Sequence, residues 1–106
     1  MWKIYFAEMG KATKIKEMGR RPVVVLENLG DEVKVIKITS RNRDDRYHVR
    51  MNNFLVHGFC DVSKTYIISK KYLCNCVRDC TVSEKDGILR KMKKFSKKSI
   101  DIIKRV

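Results

Sequence analysis

The chain has one proline, five glycines and no apolar run longer than the four residues Val23 to Leu26. A membrane-spanning helix needs about 20 apolar residues, so none is expected. The opening Met1-Trp2-Lys3-Ile4-Tyr5-Phe6 also lacks the ~7–15-residue apolar region of a secretory signal. A cytoplasmic protein is the expectation, and its four cysteines, Cys60, Cys74, Cys76 and Cys80, are then thiols. Acidic residues are scarce: 12 Asp and Glu stand against 25 Lys and Arg, a formal charge of +13. That balance favours a polyanionic partner such as nucleic acid, an anionic membrane or an acidic protein.

The 106 residues suit one domain, residues 1–106, with 43% hydrophobic content arguing against disorder. Its core is small, so a partner subunit would add stability. Short strands are expected over Trp2 to Glu8, Pro22 to Glu27, Glu32 to Ile38, Tyr47 to Met51, Phe54 to His57, Thr65 to Ile68 and Leu73 to Val77. In the first, Trp2, Ile4 and Phe6 share one face, and Pro22 is tolerated as the first residue of the second. Asn28-Leu29-Gly30-Asp31 carries turn chemistry. Val33 and Val35 share one parity and Ile36 and Ile38 the other, so the third strand is buried on both faces or bulged. Gly10 to Gly19 reads as a lysine-rich loop, Arg41 to Arg46 as a charged loop, and Gly58 to Lys64 as a connection.

After Val82 the period changes. Ser83 with Asp86 resembles a capping box, and Ile88, Leu89, Met92 and Phe95 follow helical spacing. Ile100, Ile103 and Val106 fit either a last helical turn or a strand. From Glu84 to Val106 nine residues are basic and three acidic. The fold class is mainly β (α+β): a compact barrel over about residues 2–82 with a basic helical tail over about 83–106.

The most informative stretch is Gly19-Arg20-Arg21-Pro22-Val23-Val24-Val25, followed by Ile38-Thr39-Ser40. It puts a guanidinium and two hydroxyls at strand ends, where they can converge on one phosphate. Arginine offers a planar fork for phosphate oxygens, and hydroxyls add short hydrogen bonds.

These two blocks, with Cys60-Asp61 and Lys64-Thr65 as a third, resemble the MazF/PemK family of toxins from bacterial toxin–antitoxin modules. The resemblance spans roughly residues 2–95. It implies an SH3-like barrel with a C-terminal helix, a homodimer, and a partly disordered acidic antitoxin as partner. It also implies metal-independent cleavage of single-stranded RNA, leaving a 2′,3′-cyclic phosphate or 3′-phosphate end. Arg21 and Thr39 become phosphate-site residues and Asp61 a further catalytic candidate. Ser40, Lys16, Glu17, Arg43, Arg46 and Lys64 become candidate substrate contacts. The chain departs from the family at several places. Lys16, with Glu17 beside it, stands where an acid is common, Phe59 where a base is common, and Val62-Ser63 where Gln-Pro is usual.

RNA cleavage of this kind needs positive charge on the phosphorus centre, a base for the 2′-hydroxyl and an acid for the leaving oxygen. Arg21 suits the first role. For proton transfer Asp61, Glu17, His48 and His57 are the alternatives. No metal or cofactor is expected, because Cys74-x-Cys76-x-x-x-Cys80 departs from the Cys-x₂₋₄-Cys pairs of structural zinc sites. Two other functions fit the same residues: a gyrase-binding toxin of the CcdB type on the same fold, and a non-enzymatic basic nucleic-acid-binding module.

Overall fold

The computed structural model describes residues 2–41, 46–53, 56–98 and 102–105, with side chains omitted at 52, 53, 95–98 and 102–105. The described residues form eight strands: β1 Lys3–Glu8, β2 Arg20–Asn28, β3 Glu32–Thr39, β4 His48–Asn53, β5 Val56–Asp61, β6 Lys64–Ser69, β7 Leu73–Asp79 and β8 Ile102–Arg105. Helix α1 covers Met9–Thr13 and α2 covers Val82–Lys98. Among the described residues, no helix is long and apolar enough to cross a membrane.

The strand order is β4-β5-β3-β2-β1-β7, all antiparallel, with β6 on β3 and β8 parallel to β6. β3 is the organising strand. Its first half pairs with β6, from Glu32 opposite Ser69 to Val35 opposite Tyr66. Its end pairs with β5, Ile38 opposite Cys60 and Thr39 opposite Phe59. The sheet therefore forks along β3, between Val35 and Ile38.

As the mixed parity predicted, β3 is buried on both faces. Ile36 and Ile38 join Ile4, Val24, Met51 and Ile88 in one core cluster, while Val33 and Val35 join Ala7, Met9, Val23 and Ile68 in another. Each fully buried aliphatic side chain of this size contributes about 1.5–3 kcal/mol. The turn at 28–31 also forms as expected, with Gly30 at φ 90° donating to Asn28 Oδ1 at 3.1 Å.

Several expectations are corrected. Gly10 to Gly19 is not a plain loop: Met9, Ala12 and Met18 are buried, and their burial folds the segment into α1 and a 3-10 turn, Lys16–Met18. β1 does not keep one face inward, because Ile4 enters one cluster and Ala7 the other, with register shifts against β7. Pro22 is the third residue of β2; it lies opposite Phe6 of β1, and the β3 ladder starts only at Val23. Gly58 to Asp61 is strand, leaving Val62-Ser63 as the turn into β6. The helix cap is Thr81 with Glu84, not Ser83 with Asp86: Glu84 N donates to Thr81 Oγ1 at 3.1 Å and Thr81 N to Glu84 Oε1 at 2.9 Å. Arg78 selects this register by gripping the Glu84 carboxylate at 2.7 and 2.8 Å. Ile88 is buried, but Leu89 turns outward at 46% exposure, and the side chain of Phe95 lies outside the described residues. Of the tail, residues 102–105 form strand; Ile100 and Val106 lie outside the described residues.

Candidate functional site

The fork in the sheet holds a cleft of about 280 Å³, lined by Arg21, Lys37, Thr39, Tyr47, His48, Asp61, Ser63 and Lys64. β3 contributes Lys37 and Thr39 where it leaves β6 for β5. β5 ends in Asp61, and the next turn supplies Ser63 and Lys64. Three cations therefore face one carboxylate, which suits an anionic ligand.

Arg21 is held before any ligand arrives. Its Nε donates to the Met18 carbonyl at 2.7 Å, which leaves the two terminal nitrogens of the fork. Met18 is itself placed by the 3-10 turn, closed by Gly19 N to Lys16 O at 3.1 Å, and by Gly10 N to Gly19 O at 2.9 Å. The segment expected to be a loop thus buttresses the arginine.

Asp61 and His48 are direct cross-strand partners. His48 Nε2 lies 4.0 Å from Asp61 Oδ2, and their side chains are 5% and 15% exposed. Asp61 Oδ1 accepts from Ser63 N at 3.0 Å and from Ser63 Oγ at 2.5 Å. The Phe59 ring stacks beside the imidazole, centroids 6.0 Å apart, and Lys91 Nζ donates to the His48 carbonyl at 2.5 Å. Asp61 is therefore both a turn-closing aspartate and the neighbour of a buried imidazole. Burial pushes the Tyr66 phenol up, with the Asp61 charge adding and Arg21 opposing, so Tyr66 stays neutral in the core.

Thr39 ends β3, and its position depends on Gly58. That glycine has φ 135°, and a Cβ there would stand 2.5 Å from the Thr39 carbonyl oxygen. Gly58→Ala is expected to lower stability by about 3 kcal/mol, from backbone strain and clash together, read as a fall in the urea midpoint. An unchanged midpoint would show that the Thr39 backbone yields freely.

Of the residues singled out from sequence, Arg21, Thr39, His48, Asp61 and Lys64 meet in the cleft. Ser40 instead lines a separate recess with Arg50, His57, Gly58 and Phe59. Lys16 and Glu17 are exposed on the 3-10 turn and do not line the cleft. Arg46 sits 5.2 Å above the Tyr47 ring, outside the cleft lining, and Arg43 lies outside the described residues. Lys37 and Ser63 were missed. Lys37 had a signal: it sits two residues before Thr39, on the same strand face. Cys60 is buried, and burial pushes its thiol well above the ordinary range; Cys80 rises to about 11, chiefly by burial. Among the described residues, no three His, Cys, Asp or Glu side chains gather as a metal-binding group would.

No protein-family model and no curated protein sequence matches the chain. Solved structures do. A mycobacterial endoribonuclease in complex with its cognate antitoxin matches with TM-score 0.76 at 14% identity, over 92% of this chain and 94% of that one. The Mycobacterium tuberculosis toxin MazF-mt6 matches with TM-score 0.70 at 18% identity, over 87% and 93%. The MazE–MazF structure from Deinococcus radiodurans matches with TM-score 0.73 at 15% identity, over 92% and 94%. With the strand order and the C-terminal helix above, these likenesses establish that the chain has the fold of the MazF endoribonuclease toxins.

Proposed function

We propose that the protein is the toxin of a bacterial toxin–antitoxin module, an endoribonuclease that cuts single-stranded RNA without a metal. The observation that carries this reading is the convergence of Arg21, Lys37 and Lys64 with the His48–Asp61 pair in one cleft. The scissile phosphate rests on the Arg21 fork, with Thr39 Oγ1 and the two lysines around it. The 2′-oxygen attacks phosphorus, and its proton passes to His48, which stands beside the Asp61 carboxylate. As the P–O5′ bond breaks, the leaving oxygen takes a proton from solvent at the cleft mouth. A 2′,3′-cyclic phosphate remains, which water can open to a 3′-phosphate. Ser63 ties Asp61 Oδ1, which leaves Oδ2 as the carboxylate oxygen facing His48 and the alternative acceptor for that proton.

The same reading includes a homodimer in the cytoplasm and an acidic antitoxin drawn to the +13 charge. The test is incubation of purified protein with single-stranded RNA in excess chelator. Cleavage leaving a cyclic or 3′-phosphate is expected, with complete protection when every 2′-hydroxyl is methylated. RNA left intact, or products ending in 3′-hydroxyl, would overturn the proposal.

A further inference from the structure

A second hollow of about 490 Å³ adjoins the cleft, and His48 lines both. One wall is β4 with Arg50 and, beside it, Phe59. The other is a single face of α2: Gly87, then Arg90, Lys91 and Lys94 at three, four and seven residues beyond it. Gly87 brings the walls together, since even a Cβ there would lie 3.1 Å from Val49 Cγ1. Arg50 and Phe59 continue into the recess that holds Ser40 and His57. Cleft and groove thus share His48, and groove and recess share Arg50 and Phe59. Among the described residues, no carboxylate lines the groove or the recess, and no ion pair engages Arg50, Arg90 or Lys94.

We infer that this groove is a binding track for single-stranded RNA, carrying the strand away from the scissile phosphate across β4 and α2. The inference rests on the nuclease reading for the direction of the strand. Its chemistry is that of sequence-tolerant single-strand binding: cations spaced along a channel for the phosphates and an aromatic ring, Phe59, for a base to stack on. Charge complementarity alone would also suit an acidic peptide. The half-buried ring and the continuity with the cleft through His48 favour RNA.

The test uses the full chain with a fluorescein-labelled, twelve-nucleotide 2′-O-methyl oligouridine, which it cannot cleave, and reads anisotropy between 50 and 200 mM salt. In the variant Arg90→Ala/Lys94→Ala, Kd is expected to rise roughly tenfold. The slope of log affinity against log salt should fall by about 1.4, or about 0.7 for each lost single-strand phosphate contact. A trinucleotide of the same chemistry, long enough for the cleft alone, should change less than about twofold on the same grounds. Equal affinity and slope for variant and parent overturn the inference. So does a twenty-residue polyglutamate peptide that binds in an Arg90- and Lys94-dependent way while the oligonucleotide does not. Both positions are exposed on a helix where alanine is a strong helix former, so the variant keeps its fold. A chain that binds through the groove yet never cuts RNA removes the nuclease reading and leaves the track. A chain that cuts RNA while the variant binds like the parent does the reverse.

Discussion

Arg21→Ala should slow single-turnover cleavage of single-stranded RNA by roughly 10²–10³-fold, the usual effect of removing one fixed donor from a site of developing charge. In the proposed reaction, negative charge builds on the phosphate oxygens as the 2′-oxygen attacks. A guanidinium already anchored by Nε on the Met18 carbonyl meets that charge without reorganising. Arg21→Lys should recover little, because an ammonium offers no planar fork and cannot hold Met18 in the same way. Loss of the Met18 bond itself costs only about 1 kcal/mol, so thermal melts should separate the chemical defect from unfolding. A variant that cuts at the parental rate would remove Arg21 from the mechanism.

Arg78→Ala should be among the most destabilising single changes. Arg78 and Glu84 form a two-pronged pair with side chains 12% and 6% exposed. Removing the arginine leaves a buried carboxylate with only its Thr81 cap, at a cost of about 3–5 kcal/mol and a fall in Tm on the order of 15 °C. The pH dependence follows from what acts on Glu84. Burial alone would raise its carboxyl, but the Arg78 bonds and the Thr81 cap outweigh this and lower it below the ordinary 4.5. In the parent, this contribution is present above pH 4.5 and lost as pH falls through the lowered value. In the variant, burial is no longer offset by Arg78, so the carboxylate is penalised at neutral pH and relieved by protonation in acid. The gap between parent and variant should therefore be widest near pH 7 and shrink toward pH 4, read by urea unfolding at both. An equal gap at both pH values would show that Arg78 acts through packing alone.

The same pair explains part of what the sequence hides. Thr81-x-x-Glu84 and Ser83-x-x-Asp86 are equally plausible caps in one dimension; Arg78, at the end of β7, decides between them. α1 was invisible because Met9 to Thr13 is too short to show a period, and its helix is held by burying Met9 and Ala12. The two-faced burial of β3 was legible, since Val33, Val35, Ile36 and Ile38 occupy both parities in one short run. Arg21 and Thr39 were legible as strand-end groups, and Lys37 follows from strand parity once Thr39 is chosen. The proximity of His48 to Asp61 was not legible. It depends on the register of β4 against β5, which is set by the whole sheet and by no local pattern.

The pairing of β1 with β7 joins Lys3 to Asp79, residues 76 apart in sequence. Chain entropy must be lost before such a contact gives anything back, and domains dominated by distant pairings fold in about milliseconds to seconds rather than microseconds. On the ribosome, β1 has β2 early but must wait for its other neighbour until most of the chain has emerged. During that interval one edge of an apolar strand stays open to chaperones and to newly made partners. The order of the strands thus sets a delay between synthesis of the chain and completion of its sheet.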